Sequence, residues 1–291
     1  MKLSRSRGRR DPRRIIVALM VWLGMLTLLY PTAAQWMEQR EQSRANAALS
    51  EVAADLDPAD RAQLLDEAHA YNRVLASGLP VTDYDYGQTL ALRGTDVIAR
   101  LRVPSIDLDQ PIRRTLGESA LTQGLGHSED TTLPVGGFGT NSVIGGHRGL
   151  AESLGFTHLP EVRVGDLIYV EVMREVLAYE VTSTEVLEPL EAAFHPIDFD
   201  RDVLTLITCT PLGVNSHRFV VEADRIDTPE GEEPGKHSEL PRFPWWLVAA
   251  AAATLGAAGY AFAPRIRTRA SNGADSGRGA LRSRVETSAR E

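Results

Sequence analysis

A single cysteine, Cys209, serves the whole chain of 291 residues. An internal disulfide is therefore excluded, and the lack of any Cys-x-x-Cys or His-x-x-x-His spacing removes the recognised zinc frames, so neither a metal nor a cofactor is expected. Gly-x-Ser-x-Gly is also missing, which leaves a serine nucleophile without its usual turn. The chain has no internal repeats, and residues 96–228 have little helical patterning. The formal charge is −8, and it is unevenly distributed. Each tail holds seven of the 31 Lys plus Arg, while the segment between the apolar runs has 35 of the 39 Asp plus Glu and a net charge of −18. Such a domain disfavours nucleic acid and is compatible with a cationic or amine-bearing partner.

Two long apolar runs are present. A basic tail, residues 1–14, precedes residues 15–34, which are long enough to span a bilayer or to act as a signal peptide with the small-residue site Thr32-Ala33-Ala34. Residues 243–262 form a second, Trp-flanked apolar segment, followed by Arg265, Arg267 and Arg269 in a basic tail, residues 263–291. Basic residues outside both segments predict two cytoplasmic ends and an extracytoplasmic middle. Cleavage of the first segment would still leave the second as an anchor.

Residues 35–78 read as a helical extension broken at Asp57, where Asp57-Pro58 supplies an N-cap and a proline at the first helical position. Leu64, Leu65, Ala68, Tyr71, Val74 and Leu75 form one apolar stripe on its second half. Residues 79–95 are a polar and aromatic loop, and 229–242 a charged linker containing Pro and Gly. In residues 96–228 the pattern changes to period two. Strands are expected at Val97–Leu101, from Pro111, and at Ser142–Gly145, Leu167–Val172, Val176–Leu187, Val203–Thr208 and His217–Ala223, with a tight turn at Met173-Arg174-Glu175. Short strands joined by Gly-rich connections predict a mainly β fold, a closed or nearly closed barrel.

Cys209 stands where a β-branched run opens into a polar loop. A buried core thiol is one reading, and the position favours the other, a nucleophile. A nucleophilic thiol needs a proton carrier and a group that holds developing negative charge. His147, after the apolar run and two glycines of Val143-Ile144-Gly145-Gly146, is the best base candidate, with His127, His158, His195 and His217 competing. His217 and Arg218 face opposite sides of their strand, so only one can meet Cys209. Arg218 is a permanent cation suited to an oxyanion or a peptide carbonyl.

Thr205-Leu206-Ile207-Thr208-Cys209, Gly146-His147-Arg148-Gly149 and Ser216-His217-Arg218 resemble the three signature segments of sortases, in order and spacing. The likeness runs from about Asp96 to Ile226 and, with the helical extension and the C-terminal apolar segment, looks most like the pilus-assembling class C. The resemblance implies a sortase β-barrel and a cysteine transpeptidase that cleaves an LPXTG-like signal between Thr and Gly and transfers the acyl group to an amine, a pilin lysine. It implies Cys209 as nucleophile, His147 as acid and base, Arg218 as substrate and oxyanion clamp, and Thr208 as a contributor to the oxyanion hole. It further implies a lid whose aspartate faces the arginine and whose aromatic covers the cysteine. Asp83, Tyr84, Asp85 and Tyr86 are the candidates, although the usual Asp-Pro-aromatic pattern is absent. The alternatives are a housekeeping sortase that anchors surface proteins to the cell-wall precursor and a non-catalytic, membrane-tethered binding barrel. The excess of arginine over lysine is associated with a GC-rich, Gram-positive source.

Overall fold

The computed structural model describes residues 12–78, 85–149, 155–193, 197–236 and 241–262. It divides into two units, Gly24–Ala251 and a terminal unit made of the two chain ends. Within the terminal unit, Trp22 Nε1 donates to Thr254 Oγ1 at 3.0 Å and the Arg14 guanidinium lies 5.8 Å from the centre of the Tyr260 ring. Helix α1 (Pro12–Asp55) and the last helix (Trp245–Phe262) each contain a stretch long and apolar enough to cross a membrane.

The larger unit is built on a closed eight-stranded barrel. In chain order the strands are β1 (Val97–Val103), β2 (Leu108–Arg113), β3 (Leu125–His127), β4 (Thr140–Gly145), β5 (Leu167–Val172), β6 (Glu175–Leu187), β7 (Asp202–Thr210) and β8 (His217–Ile226). Around the wall they run β1-β2-β3-β4-β7-β8-β6-β5, and the pairs β2/β3 and β4/β7 are parallel. Alternation sets the core: Leu204, Leu206, Val221 and Ala223 point inward and are fully buried, while their strand neighbours face outward. The expected turn at Met173-Arg174 has positive φ at both residues, which matches the right-handed twist of a two-residue hairpin joining β5 to β6.

Two elements were not expected. The helix α3 (Glu118–Thr122) and strand β3 have five and three residues, too few to show a period. The described part of the 79–95 loop also differs from a loose linker. Leu90 and Leu92 are buried in the core, and Asp85 and Gln88 organise a turn that holds them there.

Helix α2 (Pro58–Ala76) starts at the predicted cap, where Asp57 Oδ1 accepts from the Ala59 N–H. Leu65, Ala68 and Tyr71 of the predicted stripe join the barrel core, Leu64 and Leu75 pack at its edge, and Val74 is half-buried. Sequence periodicity missed Asn72, which is buried and uses its amide to satisfy both the N–H and the C=O of Leu133. Helix α1 makes a polar seam on the barrel: Asn46 donates to Asp109, and Ser50 to Glu171. Both carboxylates also pair with Arg100, which lies buried between them. Replacing Asn72 by Ala would orphan the buried Leu133 N–H, while the Leu133 carbonyl keeps the Val135 N–H as donor, so Asn72→Ala is expected to cost about 1–3 kcal/mol, read by chemical denaturation.

Candidate active site

The parallel ladder between β4 and β7 brings the signature segments together. Its register keeps an offset of 62 residues from Thr140↔Asp202 to Gly145↔Ile207. Two side-chain hydrogen bonds continue that offset past the end of β4. Thr208 Oγ1 donates to the Gly146 carbonyl at 2.8 Å, and Arg148 Nη1 donates to Thr210 Oγ1 at 3.0 Å. The neighbours of Cys209 are thus fastened to the neighbours of His147, and the same offset of 62 residues makes His147 the counterpart of Cys209.

Strand alternation then decides which side each residue faces. Thr208 shares the inward face of Leu204 and Leu206 and is almost fully buried; Cys209 faces outward and is half-buried. On the other side of β7, Cys209 is the direct antiparallel partner of Arg218, and directly opposed residues share a face. Arg218 is therefore the member of its dipeptide that meets Cys209. His217 pairs with Thr210 instead, and its ring is engaged by Ser216 at 2.8 Å and Glu188 at 3.2 Å.

The two glycines before His147 serve close packing. A Cβ on Gly146 would lie 2.7 Å from Leu125 and 2.8 Å from Phe156. The returning chain then donates from Phe156 N–H to the His147 carbonyl at 2.8 Å, and Gly155, with φ of +37°, leaves no room for a side chain against that carbonyl. His147 is half-buried. Its Nε2 is shielded from solvent and makes no hydrogen bond among the described residues, while Glu118 Oε1 stands 3.6 Å away, beyond hydrogen-bond length. Arg218 uses Nη1 on the carbonyls of Asn215 and His217, and its Nε and Nη2 make no hydrogen bond among the described residues.

Among the rival histidines, His127 is fully buried, with Nε2 donating to the Thr132 carbonyl and Nδ1 2.7 Å from the Tyr86 hydroxyl. His158 is exposed and paired with Glu161; His195 lies outside the described residues. Of the lid candidates, Asp83 and Tyr84 also lie outside the described residues. The expected pairing of an aspartate with Arg218 and cover of Cys209 by a tyrosine is not what Asp85 and Tyr86 provide. Asp85 Oδ1 accepts from the Gly87 N–H in its own turn. Tyr86 packs on Tyr71 and His127, and its hydroxyl is 2.5 Å from the Arg114 carbonyl. A half-buried tyrosine with a satisfied hydroxyl is held where its partners are. The Thr208 hydroxyl, engaged with Gly146, is likewise unavailable to an oxyanion.

Residues 101–226 match the family described as Sortase domain. A lid mutant of sortase A from Corynebacterium diphtheriae is 39% identical and superposes with a TM-score of 0.56, covering 60% of this chain and 98% of that one. The chain belongs to the sortase family. Sortases are cysteine transpeptidases, and the eight-stranded closed barrel is their fold. Two sortase C structures are also similar. The one from Streptococcus pneumoniae, described in terms of catalysis and pilin substrate specificity, is 32% identical over 62% of this chain and 96% of that chain, with a TM-score of 0.57. The one from Clostridium perfringens, solved with the C-terminal cell wall sorting motif, is 31% identical over 62% and 97%, with a TM-score of 0.58.

Burial pushes the His127 imidazole down from 6.5 to about 4, opposed by its bond to Thr132 and assisted by the Arg114 cation. The folded state therefore holds His127 neutral where the unfolded chain would protonate it. Its contribution to stability is complete above about pH 6.5 and disappears as pH falls towards 4, by an amount on the order of 3 kcal/mol. Denaturation of this sortase at pH 7 and pH 4.5 is expected to show that acid limb, and His127→Gln to flatten it. Thr208→Val is expected to cost about 1–2 kcal/mol by leaving the Gly146 carbonyl without its donor, with Thr208→Ser largely restoring it.

Proposed function

We propose that this sortase polymerises pilins. Cys209 attacks the carbonyl carbon between Thr and Gly of an LPXTG-like sorting signal, the C–S bond forms, and the C–N bond breaks as His147 protonates the leaving amine. The thioacyl enzyme then passes its acyl group to a pilin lysine, with His147 acting as base. Arg218 holds the carbonyl oxygen as charge develops. Thr208 acts by holding the His147 segment beside Cys209, so the burden of the oxyanion falls on Arg218.

The observation that supports this reading is the pairing of Cys209 with Arg218 across β7 and β8, together with the hydrogen bonds from Thr208 to Gly146 and from Arg148 to Thr210 that fasten the segment around His147 to β7. The pilus assignment is supported by the likeness to sortases C, one of them solved with a sorting motif. It is also supported by the C-terminal apolar helix. Both apolar segments would anchor the protein in the cell membrane with basic termini in the cytoplasm and residues 35–242 outside, where pilins and the cell-wall precursor are met.

Incubated with an LPXTG-type peptide, the full-length protein in detergent is expected to accumulate a thioacyl adduct on Cys209, visible by mass spectrometry. Cys209→Ala abolishes it, and His147→Ala and Arg218→Ala each slow its formation by about 100-fold or more. A wild-type protein that forms no adduct would end the transpeptidase assignment of these residues. Covalent ladders with pilins, against transfer to cell-wall precursor amines alone, separate the pilus role from a housekeeping one.

A further inference from the structure

Following the barrel wall from β8, Arg218 on β8 is followed by Cys209 on β7 and then by the segment that leaves β4, which carries His147. The next functional group beyond His147 is a carboxylate. Glu118 opens α3, on the segment that leads into β3, and this segment lies against the outside of the barrel there. Leu116 fills the space a Cβ on Gly145 would take, and the Thr115 carbonyl that of one on Gly126. The Glu118 side chain is 82% exposed, and its Oε1 is 3.6 Å from His147 Nε2, the ring nitrogen that is shielded from solvent and makes no hydrogen bond among the described residues.

The site is therefore polarised, with a cation on the Arg218 side of the thiol and an anion on the His147 side. We infer that Glu118 is the residue that receives the acyl acceptor as an ammonium ion, a lysine side chain or another primary amine, and holds it against His147 Nε2. This rests on the transpeptidase reading given above. An amine reaches the thioester mostly protonated at neutral pH and must lose a proton before it can attack. Held by Glu118, it gives one proton to neutral His147 Nε2. Its nitrogen then bonds to the thioester carbon, the C–S bond breaks with its electron pair going to sulfur, and the second amine proton ends on the Cys209 thiolate. The products are an amide, a thiol and an imidazolium that returns its proton to solvent. Glu118 thus favours cationic acceptors over neutral ones such as water, while the sorting signal occupies the Arg218 side.

The test is a partition experiment on the full-length protein. Thioacyl enzyme formed from an LPXTG-type peptide is offered an N-acetylated lysine amide, which is cationic, or hydroxylamine, which is uncharged at neutral pH. Glu118→Gln is expected to raise KM for the lysine amide about fivefold to tenfold, the size of one charge-assisted contact, and to lower the lysine-to-hydroxylamine ratio by the same factor. Glu118→Asp is expected to recover part of that ratio, and added salt to erode the wild-type ratio towards that of the Gln variant. Because Glu118 is exposed, these replacements do not threaten the fold. An unchanged ratio overturns the inference. A Glu118→Gln variant that slows thioacyl formation as much as transfer overturns it too, since the carboxylate would then serve His147 alone. Wild-type thioacyl enzyme that accepts hydroxylamine and never lysine amide overturns it and leaves the nucleophile assignment standing. Absence of any thioacyl enzyme removes both.

Discussion

The site depends on one register. Parallel pairing of β4 with β7 fixes an offset of 62 residues, and the hydrogen bonds from Thr208 to Gly146 and from Arg148 to Thr210 carry it three residues beyond the last strand pair. A parallel ladder slipped by one residue would turn Cys209 inward and Thr208 outward. Burial of Leu204 and Leu206 resists such a slip, so the same apolar contacts that close the barrel also hold the thiol beside the imidazole.

Around this pair the chain supplies packing from several directions. Glycines at 146 and 155 let Leu125, Phe156 and the His147 carbonyl approach closely. Helix α2 is keyed to the Leu133 backbone through Asn72, and helix α1 rests on the Arg100, Asp109 and Glu171 cluster. The chain beyond the barrel joins the same cluster, because the Gly235 N–H donates to Glu171 and Glu232 pairs with Arg102. Buried charges of this kind demand partners, and the helix and the linker provide them.

Tyr86 shows how a plausible sequence assignment is redirected by packing. Its ring lies against Tyr71 and His127, and burial raises the pKa of its hydroxyl, which is held between His127 and the Arg114 carbonyl. Arg114 in turn donates to the carbonyls of Tyr86 and Thr89. A residue bound from so many sides belongs to the barrel wall. The outer rim of the site is instead shaped by the segment before β3, where Glu118 meets His147.

The sequence by itself determined the mainly β fold, seven of the eight strands, the cap and stripe of α2, the two apolar segments, and the identity of Cys209, His147 and Arg218 as the residues to examine. These follow from local signals: period-two alternation, Pro and Gly punctuation, and a lone cysteine at a strand end. The three- and five-residue elements β3 and α3 left no periodic trace, and Glu118 could not be singled out without them. Only the tertiary structure decided between Arg218 and His217 as the partner of Cys209, removed His127 by burying it, and assigned Tyr86 to the wall. Each of those choices depends on which face of a strand a side chain occupies and on what lies opposite it, and both are set by contacts between residues far apart in the chain.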